Sequence, residues 1–226
     1  MTNEPSDAPS LTPSTLHETE HWFVLFKPAK MHTVAQRGGD ENTVEAWLRV
    51  HRSELSALEE CGLVHRLDYD TSGCLLVAKN VFTRTRLRHA FSGRGAAIRK
   101  SYLALVEGEH ESGSFTLEFS SRHKGSAKVT VRQCGITHTE AQVGECLWRV
   151  RESTHANHAN ATLLEVELIG PGRRHQIRAG LAYLGMPLIG DTLYGGAAAA
   201  GGVHLHAERL EVDGISVRAG SPAWCA

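Results

Sequence analysis

Between two apolar runs, Leu63-Val64 and Leu75-Leu76-Val77, the chain places the polar segment His65-Arg66-Leu67-Asp68-Tyr69-Asp70-Thr71-Ser72-Gly73. No other stretch constrains the fold as much. The flanking runs have the character of buried strands, and Thr71, Ser72 and Gly73 have turn chemistry. The segment therefore reads as strand–turn–strand with the carboxylate of Asp68 at the turn. A polar knot between buried strands is where catalytic groups are held on a rigid frame. Arg66 and Asp68 are two residues apart, so an extended backbone points both side chains the same way.

The remaining pattern is that of one α/β domain. His21–Phe26 is aromatic and branched, and reads as a strand ending at Lys27-Pro28. Thr43 is a suitable N-cap for a helix over Val44–Leu48, and Asn80–Phe91 has helical spacing with Val81, Leu87 and Phe91 apolar. Tyr102–Val106 reads as a strand closed by Glu107-Gly108, and residues 113–170 as a meander of strands. Leu164, Val166 and Leu168 alternate with Glu165 and Glu167 in a half-buried strand ended by Gly170-Pro171-Gly172. A helix is predicted over Arg174–Leu184, with Ile177, Leu181 and Leu184 inward and Arg178 on its polar side. Gly195–Gly202 is low-complexity and is expected to form a mobile surface loop, as is the His- and Asn-rich stretch Ser153–Asn160. Residues 1–20 carry Pro5, Pro9 and Pro13 among polar residues without apolar periodicity, and are expected to be a disordered tail ahead of one domain over 21–226.

Composition narrows the class. In 226 residues, 41% are hydrophobic and 22% charged, as in an ordinary globular domain with a sizeable core. No apolar run approaches the roughly 20 residues of a membrane helix, and no basic-then-apolar leader opens the chain, so no membrane partner and a cytoplasmic location are expected. The five cysteines, odd in number and without a C-x-x-C pair, read as free thiols in a reducing compartment. The net charge of −1 argues against a nucleic-acid partner, but the charges are segregated. Lys79–Ser101 is acid-free and carries Lys79, Arg84, Arg86, Arg88, Arg94, Arg99 and Lys100. Phe119–Thr139 carries Arg122, Lys124, Lys128 and Arg132, and Gly170–Gly190 carries Arg173, Arg174 and Arg178, again without an acid. Such segregation suits one positive face presented to phosphates, although a solvated surface would look the same.

His65-Arg66-Leu67-Asp68, followed after two residues by Thr71-Ser72-Gly73, resembles the catalytic motif of the RluA family of RNA pseudouridine synthases. Val24–Ala29 resembles that family's first motif, and Arg99–Gly108 its Lys-x-Tyr-x-Ala segment. Gly172–Arg178 with Gly190–Gly195 resembles its third motif, and Leu205-His206-Ala207 falls where the family has a helix. The resemblance covers about residues 21–213. It implies an α+β catalytic fold with a largely antiparallel, mixed central sheet flanked by helices, acting on ribosomal or transfer RNA without metal or cofactor. It implies that Asp68 is the nucleophile, that Arg178 is its ion-pair partner and that Tyr102 stacks on the target base. Arg66 would enter the RNA helix in place of the flipped uridine. Phosphate contacts are then expected from Lys79, Arg84, Arg86, Arg88, Lys100, Lys124, Lys128, Arg173 and Arg174, on a protein acting as a monomer.

The residue types suit this chemistry. Isomerising uridine breaks the bond from ribose to uracil N1, turns the base and rejoins it through C5; a carboxylate near the anomeric carbon can serve as it does in glycosidases. A phenol is a poor base at neutral pH, which favours stacking for Tyr102. Two positions depart from the family pattern: Gly180 stands where a histidine is usual, and Tyr69 where a basic residue is frequent. Rival readings are a phosphatase built on Asp68-Tyr69-Asp70, in which Thr71 is one position early, and a metal protein drawing on 14 histidines, which show no zinc-like quartet. A catalytically silent RNA-binding protein of the same fold is the third alternative.

Overall fold

The computed structural model describes residues 12–35, 42–95, 98–121, 125–135, 142–152 and 160–225. Its first strands, β1 (Ser14–Glu18), β2 (Trp22–Lys27) and β3 (Ser72–Ala78), form one flank of a mixed sheet. Between β2 and β3 lies helix α1 (Val44–His51), whose N-cap Thr43 accepts a hydrogen bond from the Ala46 amide at 2.9 Å. Helix α2 (Val81–Phe91) follows, capped by Asn80, which accepts from the Thr83 amide at 2.8 Å. The other flank is a meander of β4 (Arg99–Glu107), β5 (Gly113–Ser120), β6 (Thr130–Gln133), β7 (Val143–Glu152) and β8 (Ala161–Ile169). Helix α3 (Gln176–Tyr183) then leads to β9 (Leu205–Val212) and β10 (Ile215–Arg218).

The strands run in the order β1-β2-β3-β9-β4-β8-β7-β5-β6, with β10 on β9. Among the described strands the one parallel pairing is β3 with β9, so the expected largely antiparallel, mixed sheet is what the chain builds. That pairing spans only Ser72–Gly73 against His206–Ala207, and it is the seam between the flanks. Gly73 makes the seam possible: its φ is +115°, and a Cβ there would lie 2.2 Å from the Ala207 carbonyl oxygen.

Alternation along the strands divides the core. Phe23, Leu25, Leu75 and Val77 pack under α1, while Trp22, Val24, Cys74 and Leu76 pack under α2 and β10. On the other flank Ala104, Val106, Leu164 and Val166 meet Ile177 and Leu181 of α3. Tyr102 packs against both the α1 core and the α3 core, which places it at the seam.

Four sequence expectations need correction. Residues 14–18, assigned to a disordered tail, form a strand on β2; residues 1–11 lie outside the described residues. Leu63–Val64 is not a strand, and only an isolated Leu63–Val77 bridge marks its antiparallel course, so Asp68 sits in a loop entering β3. Leu205-His206-Ala207 is strand, because its alternation is used between β3 and β4. Gly195–Gly202 is tied in place at several points: Gly190 donates to the Ala197 carbonyl at 2.7 Å and Gly196 to that of Asp191 at 3.0 Å. Most of the stretch expected to form a loop at 153–160 lies outside the described residues.

Gly180 has a steric explanation. A Cβ at that position would lie 2.4 Å from Cζ of Phe115, which fills the space where a family histidine would project. In an open helix Gly→Ala is stabilising by about 1 kcal/mol. At this position Gly180→Ala is expected to destabilise by about 1–3 kcal/mol through overpacking. The check is urea unfolding of the single variant and of the same change in a Phe115→Leu background. The loss should shrink or reverse in the second case, and equal losses in both would show that the ring is not the obstacle.

Candidate active site

Asp68 lies in a cleft of about 840 Å³ at the seam, lined also by Arg66, Tyr102, His175 and Arg178. The loop is held from below. Thr33 Oγ1 donates to the Leu67 carbonyl at 2.9 Å and accepts from the Leu67 amide at 3.1 Å, and the Thr71 amide donates to the Asp68 carbonyl at 3.1 Å. Lys27 is fully buried, with its ammonium donating to the carbonyls of Pro28 at 2.8 Å and Met31 at 2.7 Å. Burial pulls its pKa down to about 7, and the nearby carboxylates of Asp68 and Asp70 pull the other way.

Arg178 comes from α3. Its first turn is fixed by Gln176, which accepts from the Arg173 amide at 2.8 Å and donates to the Glu145 carbonyl at 2.9 Å. The sequence put Arg178 on the polar side of the helix; it is in fact 6% exposed. Its Nε and Nη2 donate to Asp191 Oδ2 and Oδ1 at 2.7 and 2.9 Å, and its Nη1 reaches Asp68 Oδ2 at 3.3 Å. The expected Asp68–Arg178 ion pair is therefore present. Burial would lower the guanidinium's pKa, but the two carboxylates outweigh it and raise the value.

Tyr102 faces the same space from β4. Burial, with Asp68 nearby, raises its phenol pKa well above the ordinary value, so it stays protonated at neutral pH and cannot serve as a phenolate base. Its hydroxyl has no protein partner among the described residues. His65 stacks on Phe91 with ring centroids 4.3 Å apart and accepts the Leu76 amide at 3.1 Å. Burial pushes its pKa down to about 3, which marks it as a neutral structural imidazole.

The expected phosphate contacts divide. Arg66, Lys100, Arg173 and Arg174 line the cleft. Arg66 is exposed and makes no ion pair among the described residues. Arg174 is exposed and clamps the Ser126 and Lys128 carbonyls at 2.7 and 3.1 Å; Lys128 itself is exposed but does not line the cleft. Lys100 is buried against the Gly170 carbonyl, and burial lowers its pKa to about 8. The α2 arginines are engaged elsewhere. Arg84 is buried and paired with Glu59 and Glu60, Arg86 grips both oxygens of Asp213 at 2.7 Å, and Arg88 meets Glu60 at 3.3 Å. Lys79 is paired with Glu18 at 2.6 Å. Arg122 and Lys124 lie outside the described residues.

Sequence reasoning gave no role to Asp191, His175, Tyr194 or Lys27. The available signal for Asp191 is its position as the first acid after the acid-free stretch Gly170–Gly190. Lys27 sits directly after the apolar Trp22–Phe26, where burial is the natural reading of the strand's end.

Fold and site together define an α+β domain with a carboxylate in its seam cleft, and the chain belongs to the RNA pseudouridylate synthase family, whose model matches residues 21–183. It is 34% identical to the ribosomal large subunit pseudouridine synthase D of Xanthomonas campestris, over 96% of this chain and 67% of that protein. To the protein of the same name from Xylella fastidiosa it is 35% identical, over 80% of this chain and 51% of that one. The chain thus spans between about half and two thirds of these relatives. In fold it is similar to human RNA pseudouridylate synthase domain containing 4, with a TM-score of 0.70 at 19% identity over 93% of this chain and 89% of that one. Human RNA pseudouridylate synthase domain containing 1 gives a TM-score of 0.69 at 21% identity, over 97% and 86%.

The buried Lys27 makes stability pH-dependent. Below about pH 7 both the folded and unfolded chains hold its proton; between about 7 and 10.5 the unfolded chain keeps a proton that the folded protein has lost. Stability carried by this group therefore rises with pH across that window, with a slope of at most about 1.4 kcal/mol per pH unit. Urea unfolding of wild type and Lys27→Met at pH 7 and 9 should show the gap moving in the wild type's favour at pH 9. A gap independent of pH would show that the ammonium remains charged in the fold.

Proposed function

We propose that this protein isomerises uridine to pseudouridine in RNA, with Asp68 as the nucleophile. The observation that carries the reading is the Asp68 carboxylate in the cleft, held through one oxygen by a buried arginine and faced by a protonated tyrosine. Arg178 engages Oδ2, which leaves Oδ1 without a protein partner among the described residues and directed to the work of bonding the anomeric carbon. Tyr102 offers its ring face to the flipped base, since base–aromatic stacking is worth about 1–3 kcal/mol. Arg66 is placed to fill the gap in the RNA helix, where a cation that also meets phosphate offsets part of the unstacking cost. The reaction is redox-neutral and needs no external group, so neither metal nor cofactor enters the scheme.

The relatives' names make large-subunit ribosomal RNA the substrate to test first, with transfer RNA second. No described helix is long and apolar enough to cross a membrane, and we place the protein, as a monomer, in the cytoplasm with its RNA. Purified protein without added metal should release tritium from 5-tritiated uridine in an unmodified large-subunit transcript. Asp68→Asn keeps the shape and removes the charge, and should bind the RNA while releasing none. Full activity in that variant would refute the mechanism at its centre.

In this reading phosphate contacts come from the rim, from Arg66, Arg174 and Lys128, and not from α2, whose arginines are spent on Glu59, Glu60 and Asp213. Replacing the three rim cations by alanine should lower the salt slope of RNA binding by roughly 2–3 units. Replacing Arg84 and Arg86 should lower stability with the slope little changed. A slope that responds to the α2 pair and not to the rim would reverse this assignment.

A further inference from the structure

His175 takes no part in the scheme above, yet its placement is costly and specific. It precedes α3 with φ +53°, a left-handed conformation sparsely populated by residues other than glycine, and its side chain makes no capping bond. The ring is turned instead into the cleft. Its Nδ1 lies 2.8 Å from Tyr194 Oη, and that oxygen lies 3.0 Å from the Val129 amide nitrogen. The amide can only donate, so Tyr194 accepts from it; in the tautomer inferred below, Tyr194 gives its own proton to Nδ1. The proton of the neutral imidazole is thereby left on Nε2. This nitrogen stands 3.9 Å from Asp68 Oδ2, beyond hydrogen-bonding reach, so its N–H is unspent and faces the reaction space.

Resting on the isomerase reading of this site, we infer that His175 is a further catalytic residue: a neutral Nε2–H donor to the uracil carbonyl oxygen beside the bond that breaks. As Asp68 Oδ1 bonds the anomeric carbon, the N1–ribose bond breaks and its electron pair passes to the ring, where it spreads onto O2 and O4. Turning the ring about its N3–C6 axis exchanges N1 with C5 and O2 with O4. C5 then bonds the anomeric carbon, Oδ1 leaves with its pair, the C5 proton is lost to water and N1 takes one up. One fixed donor beside the anomeric carbon therefore meets O2 before the turn and O4 after it. A donor aimed where negative charge develops, and already oriented, is the most effective kind of electrostatic catalyst.

Neutrality matters to this role, because an imidazolium would pair with Asp68 and blunt the nucleophile. Burial, with Arg178 and Arg174 of the α3 segment, lowers the His175 pKa, while Asp68 from its loop and Asp191 from the turn that carries Tyr194 oppose that fall. Protonation therefore belongs to pH values below the ordinary histidine range.

The test is steady-state tritium release from the 5-tritiated large-subunit transcript by H175L and H175Q. H175L should lose roughly 100-fold in kcat with KM within about threefold, since it removes one donor to a developing oxyanion. H175Q keeps an N–H without a titrating ring; it should recover most of the rate and lose the inflection at low pH. H175L with wild-type kcat, or H175Q as slow as H175L, overturns the inference, and unfolding midpoints for both variants separate a folding loss from a chemical one. Wild type inactive on ribosomal and transfer RNA transcripts would sink the isomerase reading, and this inference with it; an active wild type beside an unimpaired H175L sinks the inference alone. Nitrogen-15 NMR of the free protein should show the Nε2–H tautomer in wild type and a shift toward Nδ1–H in Tyr194→Phe. An Nδ1–H tautomer in wild type also overturns the inference.

Discussion

A guanidinium that is 6% exposed cannot be left with water as its partner, and the site is organised around meeting that demand. Asp191, itself 1% exposed, takes two of the Arg178 donors in a planar, two-pronged bond. One arm remains, and it points to Asp68. The bond to Asp191 spans 13 residues and the bond to Asp68 spans 110, so one side chain fixes the turn after α3 and the loop entering β3 relative to each other. Removing either partner of a buried pair costs about 3–5 kcal/mol, because the remaining charge is stranded. A site held this way resists small displacements of the Asp68 carboxylate, as the role proposed for it requires.

The same accounting of charge shows how a protein of net charge −1 can leave cations free at its cleft. Several acids are paired with cations at a distance from the cleft. Glu59 and Glu60 sit beneath α2, Asp213 grips Arg86 at the β9–β10 turn, and Glu18 of β1 holds Lys79 and Arg52. On the back of the sheet Glu208 binds Arg218 at 2.7 Å. At the cleft itself the exposed Arg66 and Arg174 make no ion pair among the described residues. Total charge bears on solubility; the local field at the cleft decides whether a phosphate is drawn there.

Most of the sheet was legible in the sequence, because β2 and β4 are apolar runs buried on both faces and alternation along β8 marks a half-buried strand. Both capped helices were legible for the same local reason: Thr43 and Asn80 are short polar side chains placed just ahead of apolar periodicity. What could not be read was long-range pairing. An acid-free run along α2 looks positive in one dimension, and only the fold brings Glu59 and Asp213 against it. Leu205-His206-Ala207 is strand because β3 and β4 flank it, which short-range pattern does not encode. Asp68 and Arg178 were identifiable as a pair from motif resemblance, whereas Asp191 and His175 matter through geometry that spacing alone does not fix.

Two buried cations lie beside the Asp68 loop, and they differ in a way that bears on the chemistry. Lys27 is held by backbone carbonyls, and its pKa of about 7 lets it lose its charge near neutrality. Arg178 keeps its charge at every accessible pH, because a guanidinium does not deprotonate in proteins. The interaction that orients the Asp68 carboxylate is therefore assigned to the group that cannot switch off, and the switchable lysine is kept one layer down, bonded to backbone and not to Asp68 itself. His175, on the open side, is kept neutral by burial and by Arg178 and Arg174. The carboxylate thus meets one permanent cation through one oxygen and a neutral imidazole close by, while its other oxygen has no protein partner among the described residues. In the role proposed for Asp68, a second permanent cation in direct contact would leave a well-satisfied carboxylate and a poorer nucleophile.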